Sequence, residues 1–193
     1  MMKKWILAGM AVMAFSLTAT AVFADHSWNG YHWRSDHLSL KVVNKTSSSL
    51  YDVSAAVQEW ADLGTPIQPT LGKGGKADIA VLENSQISSL GYTEVKLDGS
   101  GHITSAKVYL NTALLELYGP EAADQILCHE LGHALGLDHN AGDIDTCMNH
   151  KIWPGTAMSP NAHDAEQLNL IYGHRDSKGK GGGFGSDGIK SGK

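Results

Sequence analysis

The sequence predicts an α+β domain, and three observations carry that reading. Short β-rich stretches, several of them alternating, gather in the first half of the chain, at 37–44, 77–83, 91–97 and 102–111. The strongest helical pattern, at 120–136, follows them, and a second late helical pattern lies at 159–173. Strands first and helices behind them describe a sheet with helices packed against it, and there is no internal repeat to suggest otherwise.

Residues 1–24 read as an export signal. A short basic start, MMKK, precedes an apolar run rich in small residues. Val22-Phe23-Ala24 fits a small-x-small cleavage pattern, which leaves Asp25 as the mature N-terminus. Cleavage after Ala21 is the minor variant. No second basic cluster follows the apolar run, so a cleaved signal is expected rather than a retained anchor, and a secreted, extracellular protein without stable membrane insertion.

Residues 25–36 are polar and aromatic without a clear period. The stretch 37–44, HLSLKVVN, alternates and gives the first strand. Leu50, Val53, Val57 and Trp60 then fall at helical spacing, with Gly64 as the stop. The prolines and glycines of 65–77 make a loop, with a short strand around Ile67. Strands follow at 77–83 and 91–97. The dipeptide Asp98-Gly99 then turns the chain into 102–111, a hairpin signal. Residues 112–119 make a short helical turn.

In the 120–136 helix, Pro120 suits the first position, Glu121 and Asp124 sit in the positive first turn, and Gly136 ends it. Residues 137–158 are loop. The last helix, 159–173, starts with Ser159 as N-cap and Pro160 as first residue, and Leu168, Ile171 and Tyr172 form its inward stripe. The tail 174–193 has seven glycines in twenty residues and is expected to be flexible.

Charge narrows the partners. Without residues 1–24 the chain carries 13 basic and 20 acidic residues; the tail holds five of the basic and two of the acidic ones. The body is therefore acidic, which repels phosphate backbones and argues against nucleic acid. Acidic composition also suits calcium, but no dedicated calcium motif is present, so Ca2+ has no specific support.

The segment 128–139, CHELGHALGLDH, carries the chemistry. Positions four apart on a helix share a face, so His129 and His133 present two imidazoles to one point. Zinc favours nitrogen ligands in a tetrahedron, and a catalytic ion needs a third protein ligand and one position for water. Gly136 has no Cβ and can turn the chain back after the helix, bringing His139 under the metal. Glu130 lies about 100° round the helix from His129, where it can reach that water without ligating. A carboxylate there can serve as general base and then general acid in peptide-bond hydrolysis. Glu166, on the later helix, is a rival third ligand that His139 makes unnecessary. His102, His150 and His163 read as surface or supporting residues rather than ligands.

HELGHALGLDH resembles the HExxHxxGxxH signature of the metzincin zinc endopeptidases. DTCMNH, which contains Met148, is similar to the methionine turn of that family. SPNAHDAEQLNLIYG resembles the C-terminal helix of its matrixin-like members. The likeness spans roughly 37–173. It implies a zincin catalytic domain over 25–173, with a twisted, mostly parallel sheet, an antiparallel edge strand, an active-site helix and a C-terminal helix. It further implies one catalytic Zn2+ and a secreted, monomeric endopeptidase acting on proteins or peptides. Extended substrate would pair with an edge strand, 102–111 or its neighbour, and the loop 151–158 with Trp153 would wall the adjoining pocket.

The sequence departs from subfamily patterns. Asn140 follows the third histidine, where matrixins carry serine. His150 stands where astacins have a tyrosine ligand, and there is no Pro-Arg-Cys-Gly inhibitory segment. With a methionine turn beneath the zinc helix, Cys128 and Cys147 become candidates for a disulfide; two buried thiols are the alternative, while thiolate ligation is not expected. Two other functions share the motif: a zinc-bound secreted protein that holds peptides without cutting them, and a peptidoglycan-bridge peptidase. Glu130 favours an enzyme, because a metal clamp does not need it.

Overall fold

Strands that are apolar on both faces belong inside a sheet. Ile79, Ala80 and Val81 are all buried, and their strand lies at the centre of the fold. The structure is a computed structural model. It describes residues 28–140, 145–150, 159–176 and, through their backbone, 189–192. In chain order the elements are β1 (His32–Trp33), β2 (Ser39–Asn44), α1 (Val53–Asp62), β3 (Gln68–Leu71), β4 (Ile79–Glu83), β5 (Gly91–Leu97), β6 (His102–Leu110), α2 (Thr112–Leu115), α3 (Pro120–Ala134), α4 (Ala162–Tyr172) and β7 (Ile189–Gly192).

The sheet runs β3-β2-β4-β6-β5-β7, and β1 also pairs with β6. All pairs are parallel up to β6, while β5 is antiparallel to both β6 and β7. The fold is therefore α+β with a mostly parallel sheet. α3 packs against β5, β6 and α1. Trp60, 1% exposed, joins the two helices by donating its indole N–H to the Cys128 carbonyl at 3.1 Å. From Gln125 to Ala134 every residue of α3 is buried, polar ones included. A helix buried all round needs a reason for its polar groups, because each costs free energy unless partnered.

Four expectations are corrected. The strand 102–111 is not an edge: β6 lies between β4 and β5. Its neighbour β5 is the outer strand of the hairpin, and β7 pairs on the far side of it. The last helix starts at Ala162. Asn161, not Ser159, is its N-cap, in a reciprocal capping box with Asp164. Asp124 of α3 is not spent on its own first turn; it accepts the Asp52 amide at 2.9 Å and so ties the start of α1 to α3. Residues 25–36 showed no period, yet His32 and Trp33 form a strand. Two residues are too short for a periodic signal, and their pairing with β6 is a tertiary event.

The ordered fold also continues past 173. Asp176 exchanges hydrogen bonds with Ser35, accepting the Ser35 amide at 2.6 Å and donating its own to Ser35 Oγ at 2.9 Å. Residues 1–24, expected to be an export signal, and Trp153 lie outside the described residues. No described helix is long and apolar enough to cross a membrane.

Candidate metal centre

Backbone carbonyls orient the first two imidazoles. His129 donates its Nδ1 proton to the Cys147 carbonyl at 2.7 Å, and His133 donates Nδ1 to the Leu137 carbonyl at 2.8 Å. A carbonyl oxygen only accepts, so Nδ1 carries the proton in both rings, and each neutral ring then has a lone pair on Nε2. Those lone pairs converge. His133 Nε2 lies 3.1 Å from His129 Nε2 and 3.1 Å from His139 Nε2. Lone pairs at that distance repel unless a cation lies among them.

The donor set fits zinc. Three imidazole nitrogens are one of its catalytic ligand sets, and Zn–N bonds of about 2.0–2.1 Å hold tetrahedral ligands roughly 3.3 Å apart. The three ligand atoms all lie within 4.8 Å of one another. His129 and His133 are each 1% exposed, whereas the His139 side chain is 26% exposed, so the group opens toward solvent on the His139 side. Carbonyls on the outer nitrogens are the partners metal-binding histidines characteristically use.

Gly136 makes the return to His139. Its φ is +103°, a region that L side chains rarely adopt, and an added Cβ would sit 3.0 Å from Tyr172 Oη and 3.2 Å from the Tyr31 carbonyl. The Leu137 amide closes the helix on the Gly132 carbonyl at 3.0 Å. Two side chains hold the helix end from below: Trp33 donates its indole N–H to the Ala134 carbonyl at 2.8 Å, and Tyr172 its hydroxyl to the Leu135 carbonyl at 2.5 Å. Burial pushes the Tyr172 phenol well above its ordinary pKa, so that proton stays in place.

Met148, 0% exposed, packs against Gly132. A Cβ at Gly132 would collide with Met148 Sδ and stand 2.8 Å from Trp60 Cζ2, so any other residue here makes Met148 and Trp60 shift. The turn bearing Met148 is held from both ends. Asn140, beside His139, donates its amide to the Met148 carbonyl at 2.8 Å; Thr146 accepts the Met148 amide at 3.1 Å and donates its hydroxyl to Asp164. Cys147 is bonded to Cys128, with Cα atoms 6.0 Å apart. The bridge thus joins the residue before His129 to the residue whose carbonyl orients that ring.

Glu130 is 2% exposed and turns toward β5. Thr93 Oγ1 lies 2.8 Å from Glu130 Oε2 and 2.8 Å from the Glu130 carbonyl; its single proton serves one of them at a time. Gly91 leaves the room, since a Cβ there would stand 2.9 Å from Glu130 Cγ and 2.7 Å from Ile126 Cγ2. Thr93, Gly91 and Gly132 are supporting residues that sequence reading did not single out. Gly132 at least sits inside the motif, where its small size was a signal; the other two carry none.

The remaining candidates fall away from this centre. Glu166 is 70% exposed beside His163 and is not grouped with the three imidazoles. His150 pairs with Asn140 through its backbone amide at 3.4 Å. His102 is buried in a different group, with His32 and Asp176. No family model and no curated protein matches the chain in sequence comparison.

Proposed function

We propose that this chain is a secreted zinc-dependent endopeptidase of metzincin type, with His129, His133 and His139 holding the ion and Glu130 as the catalytic carboxylate. One observation carries the reading: three imidazole nitrogens meet at one point, two of them on rings whose outer protons are committed to backbone carbonyls, beside a buried carboxylate on the helix that bears those two. A zinc ion held by those three nitrogens would supply a water of pKa ~7 and a polarising charge for a carbonyl. Glu130 takes the proton of the attacking water, and Thr93 keeps its carboxylate on the β5 side of the helix. It then returns the proton to the departing amine, so the peptide bond is cleaved without a covalent enzyme intermediate.

The outer strand of the hairpin supplies the substrate platform. β5 has a ladder edge beyond β6, and an extended segment of the chain itself, β7, already pairs antiparallel along it from Tyr92 to Val95. A peptide substrate would use the same backbone groups next to Gly91 and Thr93, and therefore next to Glu130. An extended, unstructured polypeptide is the substrate class that this geometry favours.

The test pairs a variant with a metal readout. Glu130→Ala should bind zinc as wild type does and lose hydrolysis of casein by roughly 10²–10⁴-fold, the usual contribution of a general base. Wild-type cleavage should stop with a chelator and return with zinc. A Glu130→Ala protein that cuts casein at the wild-type rate removes Glu130 from the mechanism, and a wild-type protein that binds zinc without cutting leaves a peptide-holding role.

A further inference from the structure

A second cluster of imidazoles stands apart from the first, on the far side of the turn at Gly136. β1 and β6 pair in parallel with His32 opposite His102. Opposed residues in adjacent strands share a face at about 4.8 Å, so the two rings are neighbours, with centroids 5.0 Å apart. His174 brings a third ring, 5.0 Å from His32. Asp176 enters among them: its Oδ1 lies 3.1 Å from His32 Nε2, 3.4 Å from His102 Nε2 and 3.1 Å from His174 Nε2.

The outer nitrogens of two of these rings also face oxygen. His32 Nδ1 is 2.8 Å from the Gly30 carbonyl, and His102 Nδ1 is 3.3 Å from Asp98 Oδ2. A neutral imidazole has one N–H, yet both nitrogens of each ring point at acceptors. Asp176 also accepts the Ser35 amide, and Asp98 accepts the His102 and Ser100 amides, so both carboxyls already stand among donors. Extra protons on the rings could satisfy those acceptors, but would set like charges side by side where the side chains are only 19% and 11% exposed; a dication among neutral rings and the carboxylate satisfies them instead. The dication needs no buried like-charge pair, and it turns Asp98–His102 into the carboxylate–histidine pairing that steadies metal ligands.

We propose that His32, His102 and Asp176, completed by His174, form a second divalent-cation site of zinc class. Two nitrogens and a carboxylate oxygen lie within 4.8 Å of one another, and His174, whose Nε2 is 3.1 Å from Asp176 Oδ1, would supply the fourth ligand of a closed set, the structural kind rather than the catalytic kind. The site fastens three distant segments: β1, the start of β6 and the chain after α4. β1 in turn supports the helix end, since Trp33 donates to the Ala134 carbonyl and the Tyr31 carbonyl abuts Gly136. Filling the site would firm the turn that presents His139. The proposal does not rest on the peptidase reading.

The experiment counts metal. The full chain is stripped with a chelator, loaded with Zn2+, dialysed, and its zinc content measured; Co2+ is titrated in parallel and followed by its visible spectrum. Wild type should hold two equivalents. His129→Ala/His133→Ala should hold one, and adding His102→Ala to that pair should remove it. Asp176→Ala alone should also hold one, with a lower Tm in excess zinc than wild type. If Asp176→Ala does not fold, the His129→Ala/His133→Ala protein still decides, because it leaves the second cluster intact. A wild-type stoichiometry of one that falls to none in that double variant overturns the site. Loss of casein cleavage in the same double variant reports on the peptidase reading alone.

Discussion

The two imidazole clusters use the same side chains in opposite ways. In the first, three nitrogens converge and the nearby carboxylate, Glu130, is turned aside to Thr93. In the second, the carboxylate of Asp176 lies within the convergence. A catalytic zinc keeps a position for water, and a structural one fills every position with protein. On the proposed reading the carboxylate separates the two kinds: Glu130, bonded to Thr93 outside the imidazole group, would work on water, while Asp176, among the rings, would ligate. The clusters differ equally in how they are assembled. The first spans residues 129–139, on one helix and its turn; the second unites residues as far apart as His32 and Asp176.

If the first cluster is local in its ligands, it is not local in its support, and the largest expected effect tests that. The Cys128–Cys147 bridge closes a separation of 19 residues and fixes the carbonyl that orients His129. Cys128→Ser/Cys147→Ser should cost about 3 kcal/mol in the chain-entropy model. For a domain of this size that corresponds to a fall in Tm of roughly 6–12 °C, measured by thermal unfolding with zinc present. The variant should also bind zinc more weakly at the first cluster while the second keeps its ion. Equal weakening at both clusters would show that the bridge stabilises the whole domain without orienting His129.

That difference in assembly explains what could be read from the sequence. His129, Glu130, His133, Gly136 and His139 were legible because helix geometry relates residues four apart without knowledge of the fold. The hairpin of β5 and β6 was legible through Asp98-Gly99, again a local signal. The second cluster was not. His32 sits in a two-residue strand with no period, His102 begins a strand of ordinary alternation, and Asp176 lies in a segment whose glycines promised mobility. The parallel register of β1 on β6 sets His32 against His102, and the hydrogen bonds between Ser35 and Asp176 bring the carboxylate to them, both through long-range packing. The misplaced N-cap has a related cause. Ser159-Pro160 is a sound local start signal, but Asn161 wins because Asp164 completes its capping box while accepting from Thr146 of the methionine turn.

A smaller effect is expected at Gly132. Alanine there should favour the helix itself by up to about 1 kcal/mol. The added Cβ, however, meets Met148 and Trp60 in a packed interior, and overpacking of that kind costs about 1–3 kcal/mol. The clash should win, so Gly132→Ala is expected to lower Tm by a few degrees. Activity should suffer more than stability, because displacing Met148 shifts the turn whose Cys147 carbonyl holds His129. Unchanged Tm and unchanged zinc affinity would mean that Met148 and Trp60 yield freely, and that the turn does not position the ligands.

The smallest effect bears most directly on the contrast between the two carboxylates. Thr93→Val keeps the buried shape and removes one hydroxyl, so folding should be nearly unaffected and Tm should move by no more than a few degrees. Losing a hydrogen bond to a positioned carboxylate is worth about 1.4 kcal/mol, a factor of about ten. The expected result is a tenfold lower kcat on a peptide substrate with KM little changed, because the interaction lost positions the general base and not the substrate. The first cluster should bind zinc at least as tightly as before, since Glu130, released from Thr93, becomes able to approach the ion as Asp176 approaches its own neighbours. A Thr93→Val protein with wild-type kcat would remove the distinction, because the position of Glu130 would then owe nothing to the strand that holds it aside.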